Sequence, residues 1–196
     1  MENPVMTRAV SILVAGLLLN PLSHAASLYY TISTPDTAIG LSWRAFGGIS
    51  HAKLTGVTGE VALNPANEMD NRVKVTIPVT TLIASNNLLT YQLKSSMFFD
   101  APRYPNIVFT SSRIVAQGNG NFRIFGSLSV KDVQRPVILE ATMEEHDRTA
   151  QRDERIALHA MTTISRSAYH MDRFTALVDD TVTIKIDIQA EASHVP

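Results

Sequence analysis

The chain has 196 residues, 45% hydrophobic and 18% charged, with nine Gly and nine Pro; this is the make-up of a folded globular protein and excludes a disordered, collagen-like or coiled-coil chain. Seventeen Lys and Arg stand against 18 Asp and Glu, a formal net charge of -1, so no summed field gathers phosphate backbones or acidic lipid headgroups. Cysteine is absent, which removes disulfides, thiolate metal sites, cysteine nucleophiles and a lipid-modified N-terminal Cys together.

At the N-terminus Arg8 is followed by the uncharged run Ala9 to Leu19, then by Asn20-Pro21 and the small-residue stretch Ser23-His24-Ala25-Ala26. That order predicts a secretory signal peptide over residues 1–25, cleaved after Ala25, and a single exported domain over 26–196 in the periplasm. A membrane anchor is the competing reading. Eleven apolar residues make a helix of roughly 16 Å at 1.5 Å per residue, about half of a ~30 Å hydrocarbon core, so stable membrane insertion is not expected.

From residue 37 the dominant pattern has period two, which puts alternate side chains on one face of a strand. Ile39, Leu41 and Trp43 open it, then Val57, Val61 and Leu63, then Val73, Val75, Ile77 and Val79. It resumes at Ile107 and Phe109, at Phe122, Ile124 and Leu128, at Val137, Leu139 and Met143, at Ile156, Leu158 and Ile164, and at Val182, Ile184, Ile186 and Ile188. Eight strands are predicted, with turns at Asn64-Pro65-Ala66-Asn67, Gly118-Asn119-Gly120-Asn121 and Asp179-Asp180. Between the third and fourth, Asn86-Asn87 offers a helix cap and Leu88, Leu89 and Leu93 recur at helical spacing, which predicts a short helix over about residues 86–99.

Consecutive strands joined by short polar turns pair antiparallel, with one apolar and one wet face. Such a sheet closes into a barrel or splits into a sandwich, because otherwise its apolar face and edges stay exposed. An eight-stranded barrel is just wide enough to be filled by side chains or to hold one small ligand.

The run LKSSMFFDAPRYPNIVFTSSR at residues 93–113 resembles the YceI-like family, in which a Leu, a basic residue and Ser precede Phe-Phe-Asp, Tyr-Pro and an Ile-x-Phe-x-Ser strand. Three further stretches follow the family order: Gly56-Val57-Thr58-Gly59-Glu60-Val61, Gly126-Ser127-Leu128-Ser129-Val130, and Ile164-Ser165-Arg166-Ser167 leading to Val182-Thr183-Ile184. The resemblance implies an all-β, eight-stranded antiparallel lipocalin-like barrel that is not an enzyme and carries a long apolar ligand, a polyisoprenoid, prenyl quinone or related amphiphile, in its interior. No other cofactor is implied. The expected partner is that small molecule, with no nucleic acid and, at most, a second copy of the chain as a homodimer. A non-enzymatic envelope stress or interaction module, its barrel filled by its own side chains, is the alternative.

The chain departs from the family pattern in three places. A His-Ser near the first long strand, with a second His about nine residues on, is replaced by Asp36-Thr37 and Ala45; an Asp-x-His-Leu in the helix reads Thr90-Tyr91-Gln92-Leu93; and the acidic residue, aromatic and Gly after the late Arg read Ala168-Tyr169-His170. Expected ligand-binding residues are Ile39, Leu41, Trp43, Leu93, Phe98, Phe99, Phe109, Arg166 and Tyr169. Two roles are open for Arg166: a bond to a loop carbonyl or carboxylate, or a donor fork for a phosphate or carbonyl head group. Six His are present without metal-ligand spacing, and no G-x-S-x-G elbow accompanies the scattered Ser, His and Asp, so neither a catalytic nor a metal site is expected.

Overall fold

A computed structural model describes residues 28–64, 66–144 and 155–193. The predicted signal peptide with its predicted cleavage site, His146 and His194 lie outside these residues. The elements are β1 (Leu28–Ile32), β2 (Ala38–Ala45), β3 (Gly48–Leu54), β4 (Thr58–Leu63), β5 (Arg72–Pro78), β6 (Ile83–Ala84), α1 (Asn87–Lys94), β7 (Asn106–Gly118), β8 (Asn121–Val130), β9 (Val133–Glu144), β10 (Arg155–Ser165) and β11 (Thr181–Ala192).

Eight of these strands form a closed antiparallel barrel in the order β1-β4-β5-β7-β8-β9-β10-β11, with β11 returning to β1. β11 serves two neighbours on one edge. Ala190, Glu191 and Ala192 pair with β1, while Thr183 to Asp187 pair with β2. The β2–β3 hairpin with β6 therefore extends the sheet beyond the ring. The eight-stranded antiparallel barrel with one short helix is as the family resemblance implies, but the ring contains β1, which alternation did not reveal, and leaves the first predicted strand outside it.

Tight turns join the hairpins. β2–β3 turns through Phe46 and Gly47 and β7–β8 through Asn119 and Gly120, all with positive φ, the conformation whose twist matches two antiparallel strands. α1 starts where Asn86 accepts a hydrogen bond from the Leu89 N–H at 2.8 Å, satisfying an otherwise orphaned donor. It stops at Ser95, whose N–H reaches Tyr91 and Gln92 carbonyls, so the helix is shorter than predicted. Residues 95–101 instead form a tight turn, with the Phe99 N–H bonded to the Leu93 carbonyl and Ala101 N–H to that of Lys94. This turn swings Phe98 and Phe99 back into the core.

The alternating residues point inward as the pattern requires. On β11, Ile184 and Ile188 are buried and Lys185 is exposed. Gly126 of β8 also faces inward, and its missing side chain matters: a Cβ there would lie 2.5 Å from the Phe109 ring and 2.6 Å from the Thr110 carbonyl oxygen. Phe109 can sit this close to β8 only because position 126 is bare.

On the outer face His159 of β10 bridges three strands. Its Nδ1 lies 2.6 Å from Asp187 of β11 and its Nε2 3.1 Å from Glu144 of β9. The hydrogen bond to Asp187, with those of Glu144 and both carboxylate charges behind it, raises the imidazole above its ordinary pKa against opposing desolvation.

Ile188→Asp, which buries an unpaired charge, is expected to cost about 3 kcal/mol or more, and Lys185→Asp less than about 1 kcal/mol. Urea unfolding of the two variants measures the difference; equal tolerance would mean a register shifted by one residue. For His159, a folded-state pKa above the unfolded value of about 6.5 gives stability that is complete below that value and lost as pH rises through the raised one. His159→Gln should therefore lower the unfolding midpoint more at pH 6 than at pH 9, and a pH-independent effect would contradict the clasp.

Candidate functional site

The barrel interior is a thin apolar space. A central cavity of about 100 Å³ has an entirely apolar surface, supplied by inward side chains of β2, β5, β7, β8, β9, β10 and β11. A second compartment, about 50 Å³, lies at the α1 end, and a third, about 280 Å³ and more open, at the opposite end. Leu41, Phe99 and Met171 stand between the first two, and Val73, Ile124, Leu158 and Ile188 between the first and third. Alone, each compartment falls below the roughly 300–1,000 Å³ of typical small-molecule sites, and the central cavity reaches that range only when joined to the far compartment. Along β11 the wall runs from Val182 to Ile188, roughly 20 Å at about 3.3 Å per residue. This shape suits an extended chain and does not suit a round ligand.

Of the residues expected from sequence, Ile39, Leu41, Phe99, Phe109 and Arg166 line the central cavity. Trp43, Leu93 and Phe98 surround the α1-end compartment. Phe98 also stacks on Phe174, ring centroids 6.4 Å apart, so Phe98 and Phe99 close the core and wall the pocket at once, while Met97 is exposed. Tyr169 lines neither compartment and borders a groove on the outside of the barrel.

Arg166 follows β10 and is 4% exposed. Its Nε donates to the Asp179 carbonyl at 2.9 Å, Nη1 to those of Arg173 at 2.8 Å and Met171, and Nη2 to that of Val178 at 2.8 Å. Four carbonyls of one loop thus converge on the guanidinium. Of the two roles open from sequence, this is the loop-holding one. Nearby Asp180 is held below its ordinary pKa chiefly by the Ser165 hydroxyl, then by the Ser167 N–H and the Arg166 charge, against desolvation. The loop so pinned carries Met171 and Val178 into the α1-end compartment. Neither residue lies in a strand, and nothing in their spacing marks them.

The positions that depart from the family pattern are accommodated individually. Thr37 is 1% exposed and bridges to β11, its hydroxyl donating to the Gln189 carbonyl at 3.3 Å and accepting from the Gln189 N–H at 3.1 Å. Tyr91 is 74% exposed on the outer side of α1. His170, where the family has Gly, takes φ 57° and ψ 37°, a left-handed conformation that glycine adopts at no steric cost. The far compartment carries polar groups that sequence reasoning did not single out, Asn64, Glu68 and Asn71 among them. Among the described residues no cluster of three or more His, Asp or Glu could hold a metal ion, and no helix is long and apolar enough to cross a membrane.

A closed eight-stranded antiparallel barrel of this kind has an interior just wide enough to be filled by side chains or to hold one small ligand. The YceI-like domain model matches residues 30–190, and the chain belongs to that family. Among curated relatives, a UPF0312 protein of Photorhabdus laumondii is 28% identical over 135 residues, covering 67% of this chain and 69% of the relative. A UPF0312 protein of Shewanella denitrificans is 27% identical over 138 residues, with the same coverage. Among solved structures, BcnA of Burkholderia cenocepacia superposes with a TM-score of 0.71 at 21% identity, covering 81% of this chain and 98% of that one. A polyisoprenoid binding domain from Saccharophagus degradans gives 0.64 at 12% identity, covering 85% and 99%. At these identities the structures establish the fold.

Arg166→Lys keeps the charge but supplies no planar fork for four carbonyls, and is expected to destabilise the protein by about 2–4 kcal/mol. Urea denaturation reads this; a loss below about 0.5 kcal/mol would mean that the loop holds itself.

Proposed function

We propose that this protein binds or carries a long apolar chain, a polyisoprenoid or prenyl quinone, inside its barrel, acting as a binding protein and not as an enzyme. The observation that carries this reading is the axial cavity with an entirely apolar surface, continued at both ends by compartments that share its walls. The polyisoprenoid-binding neighbour of the same fold supports it. The apolar run before Ala25 supports export, and the proposed place of action is the periplasm.

The driving force is the removal of apolar surface from water, about 0.8 kcal/mol per buried CH2 equivalent before ordering costs. Five carbons contribute on the order of 2–4 kcal/mol on that scale. Such a site selects chain length and cross-section. Ligand entry requires the side chains between compartments, Phe99 and Met171 among them, to change rotamer, since each compartment alone is too small.

The limited volume of the central cavity also favours a second reading, a barrel filled by its own side chains that acts through its surface. Titration with a prenyl quinone separates the two. Trp43, the sole Trp, borders the α1-end compartment, so a bound quinone should quench its emission saturably, and Phe109→Trp should weaken long chains more than short ones. Ligand should also raise the unfolding temperature, because binding only the folded state stabilises it by mass action. A filled core predicts that Phe109→Trp costs about 1–3 kcal/mol through overpacking, with no saturable quenching and no thermal shift in the parent.

A further inference from the structure

The barrel wall is incomplete on one side. The β9–β10 ladder runs from Ala157 opposite Glu144 to Met161 opposite Glu140 and stops there, although β9 continues back to Val133 and β10 forward to Ser165. The strands diverge, and the short helical turn Ser167–Tyr169 sits across the gap, held to β9 by Arg135 Nε donating to the Ala168 carbonyl at 3.3 Å. Pro136, beside the gap, has no N–H to offer a neighbouring strand. Outside lies an open groove of about 820 Å³. Val137, Thr162 and Ile164 border both this groove and the central cavity, so their side chains stand between the two.

A second observation falls at the same place. Tyr169 is 1% exposed, and its buried hydroxyl has no hydrogen-bond partner. It packs in the hydrophobic core and borders the groove without lining the cavity, and Arg135 lies near enough for its charge to act on the phenol. A buried hydroxyl without a partner is costly, and it is satisfied once an acceptor enters the gap.

We infer that the β9–β10 gap is a side entrance in which the polar end of the channel's ligand rests. A terminal acceptor oxygen, of a quinone carbonyl or of a phosphate, receives the Tyr169 hydroxyl hydrogen bond beside the Arg135 guanidinium, and the apolar chain passes between Val137 and Ile164 into the cavity. This rests on the proposed chain-binding function and adds to it a site for the head group. Head-group recognition then falls to Tyr169 and Arg135, because Arg166 is committed to loop carbonyls.

The test titrates the parent protein, Tyr169→Phe and Arg135→Met with three probes of equal chain length: a geranylgeranyl quinone, geranylgeranyl phosphate and the hydrocarbon phytane. Tyr169→Phe should bind phytane as the parent does and at least one headed probe about tenfold more weakly, the loss of one hydrogen bond. Weaker quinone binding in Tyr169→Phe alone assigns a carbonyl; weaker phosphate binding in both variants assigns a phosphate. The unfolding temperature of Tyr169→Phe should be unchanged or higher, since only an unpaired group is removed. Headed probes that bind Tyr169→Phe as tightly as the parent overturn the side entrance and leave the channel standing, and so does a marked fall in that temperature, which would reveal an internal partner. A parent protein that binds none of the three overturns the chain-binding function and the side entrance with it.

Discussion

The structure depends on how β11 divides its outer edge. A barrel has no free edges only if its last strand finds the first, and here β1 is five residues long while β11 has twelve. β1 covers three residues at the C-terminal end of β11, and β2 takes Thr183 to Asp187. The remaining backbone groups of β11 would otherwise form an exposed edge, a template for pairing with other chains. Thr37, just before β2, bonds the Gln189 backbone between the two partners. At the α1 end, Thr81 links the extension back to the body, accepting from the Thr55 N–H at 3.1 Å and lying 2.8 Å from both the Thr55 and Pro78 carbonyls.

Closure makes one apolar surface serve as core and, in the proposed function, as channel. The inward face of β11 packs the barrel and also walls the cavity, so a ligand chain competes with side chains for the same space. Gly126 and Phe109 set that competition locally: the bare glycine lets the ring lie against the wall. Larger aromatics near the α1 end, Phe98 on Phe174 and Trp43 beside them, make that end the tighter one, whereas the opposite end is wider and has polar groups at its rim. The pinned loop that carries Met171 and Val178 shapes the tight end, so the buried Arg166 shapes that compartment through the loop it holds.

Period-two alternation carried most of the fold, because seven of the eight ring strands, all but β1, have Val, Ile, Leu or Phe at successive inward positions. It failed where inward residues are small or outward residues are large. In β3 the inward positions include Ser50 and Ala52 while Ile49 points out, 64% exposed; in β1 Leu28 and Tyr29 are exposed beside buried Tyr30. The apolar wall was legible on the same ground, and Ile39, Leu41 and Phe109 follow from it. The roles of Arg166 and Tyr169 were not, because they depend on where the loop over residues 167–180 folds back, which no local periodicity encodes. Tyr169 reads as one more apolar-segment aromatic, yet the structure turns it away from the channel into a break between strands.

In the proposed function, the apolar axis of this barrel is a place for a chain other than its own. Native mass spectrometry of the folded protein, purified without detergent and then incubated with a prenyl quinone, tests it most directly. The account predicts a complex one ligand heavier than the protein, dissolved by organic extraction that releases the ligand intact. A single ligand-free species before and after incubation, at concentrations that saturate ordinary apolar sites, would contradict it.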